Sequence, residues 1–388
     1  MKVLFLTDSL SDLDGVGRYS RCLISAMESQ RPEMEVHVLL ARKHRPTSKA
    51  VPSHWKIEVA LPPDYYFYMS PVRYVISRLQ STWKTFRAAS GAVLIHAIKD
   101  YPHNQIGSDA ARLRRIPCVA TAHGTYTIQP LLSPVHSKRA YRVYQKINHF
   151  ISVSNYTRKR LLKLMEGTGF DEDKVTVVPN CVSANAHALP MPLERQPWHD
   201  QKFTLAIGEV KERKGHHLWL AAWIRLAAEF PEWSHYMVGR LSEDDYQRSL
   251  EKAVQDAGLQ GRIFFLGNVS EEQKIDLLQR AEVFVHTPVT AADGGFEGFG
   301  IVYLEASASG TACLGTLDSG AEDAIVQGRT GLLVDQTVDA IETGLRRLMG
   351  DDGERATFAS QGLEHARAET WEGNAESVLG LYDMLLEK

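Results

Sequence analysis

The segment Gly294-Gly-Phe-Glu-Gly-Phe-Gly-Ile-Val-Tyr-Leu-Glu305 joins a glycine-rich loop to an apolar run. The apolar run predicts a buried helix, and the glycines allow backbone N–H groups to approach an anion such as phosphate. Glu297 lies in the loop and Glu305 lies farther along the helix, so the two carboxylates can contact different parts of a long ligand. A glycine loop followed by an ordinary structural carboxylate is the alternative that this segment alone leaves open.

Strand-like apolar runs alternate with helical patterns throughout the chain, which is typical of parallel sheets covered by helices. The runs of the first half are 2–6, 35–40, 92–96, 118–122, 150–153 and 175–178. A second series comprises 203–207, 236–238, 263–266, 283–286, 312–314 and 331–334. The sequence therefore predicts an α/β protein made of two doubly wound units.

The 388 residues exceed a single ordinary core, so two domains are expected. Residues 188–197 contain three prolines and are typical of a linker. We therefore predict an N-terminal domain over residues 1–190 and a C-terminal domain over 191–369. The amphipathic tail, residues 370–388, is expected to form a helix that packs back on the first domain.

The small net charge of −3 conceals a large asymmetry. Residues 1–190 hold 26 Lys or Arg against 14 Asp or Glu, a net of +12, and residues 191–388 hold 18 against 33, a net of −15. Asp and Glu are absent from 65–99 and from 110–165. A nucleic acid, an anionic membrane or a phosphorylated acceptor would suit the basic half, and mutual attraction of the two domains is the remaining alternative.

Cysteine usage and hydropathy favour a cytoplasmic protein. The four cysteines lie far apart, without Cys-x-x-Cys or metal-ligand spacing. No apolar run is long enough to cross a bilayer, and the first residues are typical of a strand rather than of a signal peptide.

The loop after the first strand contains Gly15-Val-Gly17 at the start of a predicted helix. A dinucleotide fingerprint is excluded, because eight residues separate the strand from Gly15 and Ser20 stands at the third glycine position. A longer glycine loop facing an interdomain cleft is favoured instead. Asp12 and Asp14 resemble an Asp-x-Asp metal pair, which we disfavour because paired acids are common in polar loops.

The second unit begins similarly, with Ile207-Gly-Glu-Val-Lys-Glu-Arg-Lys-Gly-His216. Here a strand is followed by Gly208, by the cations Arg213 and Lys214, and then by a helix. Such convergence of cations and a helix N-terminus on one anion suits a diphosphate. For Lys211 a solvated position is the better interpretation.

Polar residues follow several strands of the first half, at the edge where ligands bind in doubly wound sheets. His123, in Thr121-Ala-His-Gly124, is the strongest candidate. His96, Asp100 and Asn155 occupy similar places and are weaker candidates for contact with an acceptor.

These segments, in this order, resemble the retaining family 4 glycosyltransferases (glycosyltransferase group 1), and the resemblance spans nearly the whole chain. Its most specific element is Glu297-Gly-Phe-Gly300 with Glu305 after seven intervening residues. The resemblance implies the GT-B fold, with two Rossmann-like domains facing an interdomain cleft. By the same likeness the C-terminal domain holds a nucleotide-sugar and the N-terminal domain holds the acceptor.

The resemblance also implies roles for individual residues. His123, Glu297, Arg213 and Lys214 would act at the transferred sugar and diphosphate. The donor would further contact Gly15, Gly17, Gly208, Asn268, Val269, Gly298, Phe299, Gly300 and Glu305. One departure is Glu209, since the family often has Arg directly after the glycine of the second-domain strand.

The function so implied is retaining transfer of a hexose from a UDP- or GDP-linked donor to a glycan or lipid-linked acceptor, in polysaccharide, lipopolysaccharide or glycolipid synthesis. No metal or other cofactor is expected. The basic first domain would place the enzyme peripherally on the inner face of the plasma membrane, with 65–68 and Trp83 as apolar contacts. A sugar-nucleotide epimerase and a non-catalytic nucleotide-sugar-binding module are the alternatives. Nucleic acid is not expected as a partner, because the basic runs lack a recognised reading motif.

Overall fold

The computed structural model describes residues 1–12, 14–41, 47–62 and 69–387. Two compact units are present: Met1–Pro179 with Trp371–Lys388, and Asn180–Thr370. Each contains one fully parallel sheet, and a helix follows most of its strands. The predicted α/β class with two doubly wound units is confirmed.

The sheet of the first unit has the order β3-β2-β1-β4-β5-β6-β7. Its strands are β1 (Lys2–Thr7), β2 (Glu35–Ala41), β3 (Lys56–Leu61), β4 (Leu94–Ala97), β5 (Cys118–Ala122), β6 (His149–Ser152) and β7 (Val175–Val177). The edge strand β3 was missed by the sequence analysis. Its first four residues are exposed or half-buried, so it lacks the continuous apolar run that marks a central parallel strand.

Six helices connect these strands: α1 (Gly15–Gln30), α2 (Pro71–Ala88), α3 (His103–Arg114), α4 (Thr125–Leu132), α5 (Ser137–Lys146) and α6 (Asn155–Met165). The start of α1 is set by Asp14, whose carboxylate accepts the Gly17 N–H at 2.6 Å. Ser154 caps α6 in the same way, accepting the Thr157 N–H at 2.9 Å.

Of the apolar contacts predicted with a membrane, Trp83 is exposed on α2, and residues 65–68 lie outside the described residues. None of the described helices has both the length and the hydropathy needed to span a bilayer.

The sheet of the second unit has the order β10-β9-β8-β11-β12-β13. Its strands are β8 (Lys202–Ile207), β9 (Trp233–Val238), β10 (Ile263–Gly267), β11 (Val283–Val285), β12 (Ala312–Thr316) and β13 (Gly331–Val334). Its helices are α7 (Ala184–Ala188), α8 (His216–Leu226), α9 (Asp245–Asp256), α10 (Glu271–Arg280), α11 (Ile301–Ala308), α12 (Ala321–Ala324), α13 (Val338–Gly350) and α14 (Asp352–Ala368). Trp219, Trp223 and Trp233 are fully buried in its core.

The last helix, α15 (Trp371–Leu386), belongs to the first unit and packs along α1. Arg31 at the end of α1 forms a two-pronged ion pair with Asp383. The other boundary falls after Pro179 rather than after residue 190. Helix α7 explains the difference, because it packs against α11 and α14 ahead of the proline-rich segment.

Candidate functional site

The strand order of the second sheet reverses between β8 and β11, which are hydrogen-bonded neighbours. In doubly wound sheets ligands bind at the carboxyl ends of the strands that flank this switch point. Two contacts join the loops that follow β8 and β11. Thr287 Oγ1 donates to the Gly215 carbonyl at 2.8 Å, and the Val289 N–H donates to the Arg213 carbonyl at 2.9 Å.

Gly215 makes this close approach of the two loops feasible. Its φ is +65°, a left-handed conformation, and a Cβ atom there would overlap the Thr287 carbonyl. Only glycine meets both conditions at low cost. The turn that it ends, a single turn of 3-10 helix over Glu212–Lys214, directs the two predicted cations toward the loop after β11.

A half-buried charge cluster forms where the two loops meet. The Lys214 ammonium is ion-paired with the Glu297 carboxylate, and Arg213 lies 4.0 Å from the same carboxylate oxygen. His286 Nε2, directly after β11, lies 3.3 Å from that oxygen. The structure therefore brings Glu297 next to Lys214 and Arg213, which precede it by 83 and 84 positions in the sequence. It also adds His286 to the cluster, a residue that the sequence analysis had assigned to a strand.

Burial and neighbouring charges shift the pKa values of Glu297 and Lys214 in opposite directions. Burial favours a raised pKa for Glu297, but Lys214, His286 and Arg213 hold the pKa of this carboxyl well below its usual range. Burial lowers the pKa of Lys214, and the neighbouring Glu297 carboxylate opposes that shift. Burial also lowers the pKa of His286 to about 4, so its imidazole is neutral at pH 7. Two cations thus face one carboxylate, which leaves positive charge for an anionic ligand.

Helix α11 begins beside the cluster. Gly300 precedes it with φ +84°, and a Cβ atom there would lie 2.7 Å from the Tyr303 ring. Tyr303 in turn donates its hydroxyl hydrogen to the His286 carbonyl at 2.6 Å. Within the described part of the chain no side chain caps α11. Its first N–H groups and its dipole are therefore suited to an anion.

Glu305 is the fifth residue of α11 and is 4% exposed. Its carboxylate pairs with Lys274 Nζ at 3.0 Å, and Lys274 also lies 2.9 Å from Glu271. The predicted neighbours Asn268 and Val269, in the turn between β10 and α10, are exposed and half-buried respectively. Sequence reasoning missed Lys274, since nothing in α10 beyond its Ser270 capping box distinguishes that lysine from a solvated one.

Glu209 departs from the family pattern, and its negative charge is compensated by two cations. Its carboxylate is ion-paired with Arg240, which follows β9, and with Lys211 at 2.8 Å. Gly208 directly before it has room for a Cβ, 3.7 Å from the Lys214 side chain. Arg240 is a second residue that sequence reasoning missed, because only the pairing of β8 with β9 brings it near Glu209.

The first sheet has its own switch point between β1 and β4. There Asp8 pairs with Lys99 Nζ at 2.9 Å, and His103 Nδ1 lies 3.5 Å from the other carboxylate oxygen. Asp8 and His103 are almost fully buried. Lys99 also lies 4.6 Å from the ring centre of Tyr126. This cluster holds as many carboxylates as it does lysines, unlike the one in the second unit.

His123 lies at the end of β5 and is held by its surroundings. Its Nε2–H donates to the Ile98 carbonyl at 2.8 Å, which leaves Nδ1 as the acceptor nitrogen of a neutral ring. Burial lowers the pKa of His123, against the opposing effect of Asp100. Asp100 also accepts the backbone N–H of His123 at 3.1 Å. Asp100 is fully buried and holds the backbone of His123, and its expected contact with an acceptor stays a prediction.

The position of His96 argues against its expected contact with an acceptor. The side chain is fully buried, and its two ring nitrogens lie 2.6 Å from the Tyr382 hydroxyl and 2.8 Å from Thr121 Oγ1. His96 therefore ties β4 to α15. Asn155, the first residue of α6, is exposed.

The glycine loop of the first unit is ordered by its own residues. A Cβ atom on Gly17 would lie 2.6 Å from Ser9 Oγ, whereas Gly15 faces open space among the described atoms. Asp14 accepts hydrogen bonds from Ser9 Oγ and from the Gly17 N–H, both at 2.6 Å. Asp12 pairs with Arg21 at 2.9 Å. Both acids of the Asp-x-Asp pair thus have structural partners.

Solved structures show that two parallel-sheet units of this kind form the GT-B fold. A sucrose-phosphate synthase from Thermosynechococcus elongatus has a TM-score of 0.76 at 20% identity, over 100% of this chain and 99% of that chain. Anabaena HepE, crystallised with UDP and glucose, has a TM-score of 0.75 at 20% identity, over 99% and 100% of the two chains. At this identity the likeness shows the fold.

Sequence comparison identifies the family. The model "Glycosyltransferase Family 4" matches residues 13–186, and "Glycosyl transferases group 1" matches residues 194–365. The chain belongs to the family 4 glycosyltransferases.

Individual relatives match over part of their length. A D-inositol 3-phosphate glycosyltransferase from Corynebacterium urealyticum is 30% identical over 56% of this chain and 50% of its own length. A phosphatidyl-myo-inositol mannosyltransferase from Mycolicibacterium smegmatis is 29% identical over 69% of this chain and 65% of its own length. The matches thus span one half to two thirds of these relatives.

Proposed function

We propose that the chain transfers a hexose from a UDP- or GDP-linked sugar to a glycan or lipid-linked acceptor in the synthesis of a glycolipid or polysaccharide. The observation that carries this proposal is the cluster of Lys214, Arg213 and Glu297 at the switch point of the second sheet, beside the N-terminus of α11. Two cations and a helix start suit a diphosphate. The relatives that act on inositol-containing molecules support an acceptor of the glycolipid class.

The chemistry follows from where charge develops. As the bond between the anomeric carbon and the diphosphate breaks, its electron pair moves to the phosphate oxygen. The acceptor hydroxyl forms the new bond on the same face, so configuration is retained, and its proton passes to the departing phosphate. Lys214, Arg213 and the N–H groups of α11 stabilise the leaving anion without a metal. Glu297 contacts sugar hydroxyls, Glu305 contacts the ribose, and His123 positions the reacting sugar.

Nucleotide binding is tested by thermal shift with UDP, GDP and ADP at equal concentrations. A binding nucleotide raises the melting temperature, because it stabilises only the folded state. We expect UDP or GDP to raise it, and the corresponding sugar donor is then used in a transfer assay. No shift with any of the three nucleotides would contradict the donor assignment.

Substitution of Glu297 by Gln separates a transferase from a binding module. In a transferase we expect turnover to fall at least tenfold, while nucleotide affinity changes about twofold, because the carboxylate acts at the sugar. Glu212→Gln is the matched control, since Glu212 is exposed in the same loop as Lys214. Loss of affinity alone would favour the non-catalytic module, and an epimerised donor would favour the epimerase.

Retention of the anomeric configuration and transfer without a metal ion are tested separately. Proton NMR of the first product formed should show the anomeric configuration of the donor. Transfer should persist after dialysis against EDTA, because the described cations and N–H groups serve the diphosphate. An inverted product or an EDTA-sensitive rate that Mg²⁺ restores would overturn these parts of the proposal.

A further inference from the structure

Two contacts orient the ring of His123, and only one of them is a hydrogen bond. Donation from Nε2 to the Ile98 carbonyl at 2.8 Å fixes one ring atom. The outer torsion of a histidine side chain has a broad energy minimum, so one fixed atom leaves the tilt of the ring open. The ring of Tyr19 supplies the second contact, since its centre lies 4.9 Å from that of the imidazole and the two planes are at 90°. This edge-to-face arrangement is favourable for aromatic rings and depends on the tilt of both.

Tyr19 is itself held by a residue from the last helix. It is the fifth residue of α1, two residues after Gly17, and is 1% exposed. Its ring centre lies 5.6 Å from that of Trp371, with the two planes at 70°. Trp371 is the first residue of α15 and is 8% exposed. The rings of Trp371, Tyr19 and His123 therefore form a continuous series from the start of α15 to the end of β5.

Helix α15 does not depend on Trp371 alone for its attachment. The Tyr382 hydroxyl lies 2.6 Å from His96 Nδ1, and Asp383 forms the two-pronged ion pair with Arg31. Both contacts lie about three turns farther along the helix than Trp371. The indole can therefore be replaced while α15 stays in place, so that its effect on the ring series can be measured.

We propose that Tyr19 is a positioning residue that sets the tilt of the His123 ring, and that Trp371 holds Tyr19 in the required orientation. The tilt determines where Nδ1, the acceptor nitrogen of the ring, is directed at the carboxyl edge of the first sheet. The effect on transfer rests on the proposed function, because it requires His123 to contact the reacting sugar. The effect on the orientation of His123 rests on the fold alone.

Transfer kinetics of two Tyr19 variants test the positioning. Tyr19→Leu keeps an apolar side chain in the core but removes the ring, so turnover should fall about tenfold, as much as for loss of the imidazole itself. Tyr19→Phe keeps the ring and should stay within twofold of the wild-type protein. The KM for the nucleotide-sugar should change less than twofold in both variants, because the proposed diphosphate contacts lie in the second unit.

Proton NMR of the imidazole reports its orientation without any substrate. The ring signals of His123, identified by their absence in His123→Gln, should move in Tyr19→Leu and in Trp371→Leu, and they should stay in place in Tyr19→Phe. Trp55→Leu is the matched control for Trp371→Leu and should leave the signals in place. Trp55 is 4% exposed in the same unit, and its indole donates to Glu28 at 2.9 Å.

A pH titration of the same signals gives a third readout. Burial lowers the pKa of His123, so water admitted by Tyr19→Leu should raise that pKa toward 6.5, whereas Tyr19→Phe should leave it unchanged. The other titratable groups that act on this ring are retained in both variants: Asp100, Lys99, Asp8 and His96.

Any of three results would overturn the positioning by Tyr19. These are unmoved His123 signals in Tyr19→Leu, equal loss of turnover in Tyr19→Leu and Tyr19→Phe, and a further loss when Tyr19→Leu is added to His123→Gln, since Tyr19 should act only through His123. Trp371→Leu decides the NMR test should Tyr19→Leu not fold. Normal transfer by His123→Gln, together with moved His123 signals in Tyr19→Leu, would contradict the proposed role of His123 in transfer and support its positioning by Tyr19.

Discussion

The two sheets have the same strand order around their switch points, yet opposite chemistry has been built at these places. In the second unit two cations share the Glu297 carboxylate. In the first unit Lys99 pairs with Asp8, and Asp100 is buried beside His123. The cluster of the second unit thus has an excess of cations, whereas the lysine of the first unit is matched by a carboxylate. A common topology therefore determines where a ligand binds, and the local residues determine which one.

The local charge of the two clusters also does not follow the net charge of the surrounding sequence. The cluster of Lys214, Arg213 and Glu297 lies in the half whose net charge is −15, and the cluster of Asp8, Lys99 and His103 lies in the half whose net charge is +12. Surface charge far from a site is screened within about 10 Å at ordinary salt. Net charge is thus uninformative about the two clusters.

The strongest test of this contrast is Lys214→Ala. We expect turnover to fall by roughly 100- to 1,000-fold, because one of the cations that stabilise the leaving diphosphate is removed. Lys211→Ala is the matched control, since Lys211 lies in the same loop but pairs with Glu209. Steady-state kinetics with the nucleotide-sugar would show the difference. Equal loss in both variants would mean that the loop contributes only general positive charge.

Gly215→Ala tests whether the geometry of the second cluster depends on the close approach of its loops. The variant should lose about 3 kcal/mol or more of stability, because the φ of +65° is strained for Ala and its Cβ would overlap the Thr287 carbonyl. Gly258 has a similar φ of +67°, but a Cβ there would meet open space among the described atoms. Gly258→Ala should therefore lose only about 1 kcal/mol of stability. Denaturant unfolding measures both, and equal losses would contradict the role of Thr287.

Acid should destabilise both units, through His96 in the first and His286 in the second. Burial lowers their pKa values to about 3 and about 4, from 6.5 in the unfolded chain. Between pH 6.5 and 4 the unfolded state binds more protons, so stability falls as pH falls. Each histidine should account for about 3 kcal/mol at pH 4.

Unfolding curves recorded from pH 7 to pH 4 give the dependence of the unfolding free energy on pH. His286→Gln should weaken this dependence, and His54→Gln should leave it unchanged, since His54 is exposed. A stability that stays level, or rises, on acidification would contradict the burial of neutral imidazoles.

The smallest expected effect is that of His123→Gln. Transfer should slow about tenfold, because a positioning contact to the reacting sugar is lost. Nucleotide affinity should remain within twofold, since the proposed diphosphate contacts lie in the second unit. Calorimetry with the nucleotide and transfer kinetics separate the two quantities. A comparable loss of nucleotide affinity would show that the two sites do not bind their ligands independently.

Much of the fold was predictable, because central parallel strands are buried on both faces and appear as continuous apolar runs. The strands β5 and β13 have the predicted bounds, and the capping box of Ser270 and Gln273 is formed at α10. Prediction failed where this signal is weak. Edge strand β3 is partly exposed, and the domain boundary depends on the packing of α7 rather than on prolines.

The sequence predicted candidate residues for the site, but not which of these residues contact one another. Strand-end positions identified Lys214, Arg213 and His123 as functional candidates, and the glycine-rich loop before α11 identified Glu297. The same argument placed His96 at an acceptor, although His96 holds α15 to β4. A strand-end position thus does not reveal whether a buried polar residue faces a ligand or another helix.

The amino-acid sequence by itself determined the α/β class, the two doubly wound units and the family, since these depend on local apolar patterns and on motifs of short range. Tertiary structure alone decided that Lys214 meets Glu297, that Lys274 meets Glu305 and that Arg240 meets Glu209. It also decided that the ring of Tyr19 contacts those of Trp371 and His123. The physical reason is that each of these depends on which strand or helix becomes the neighbour, and sequence spacing carries no such information.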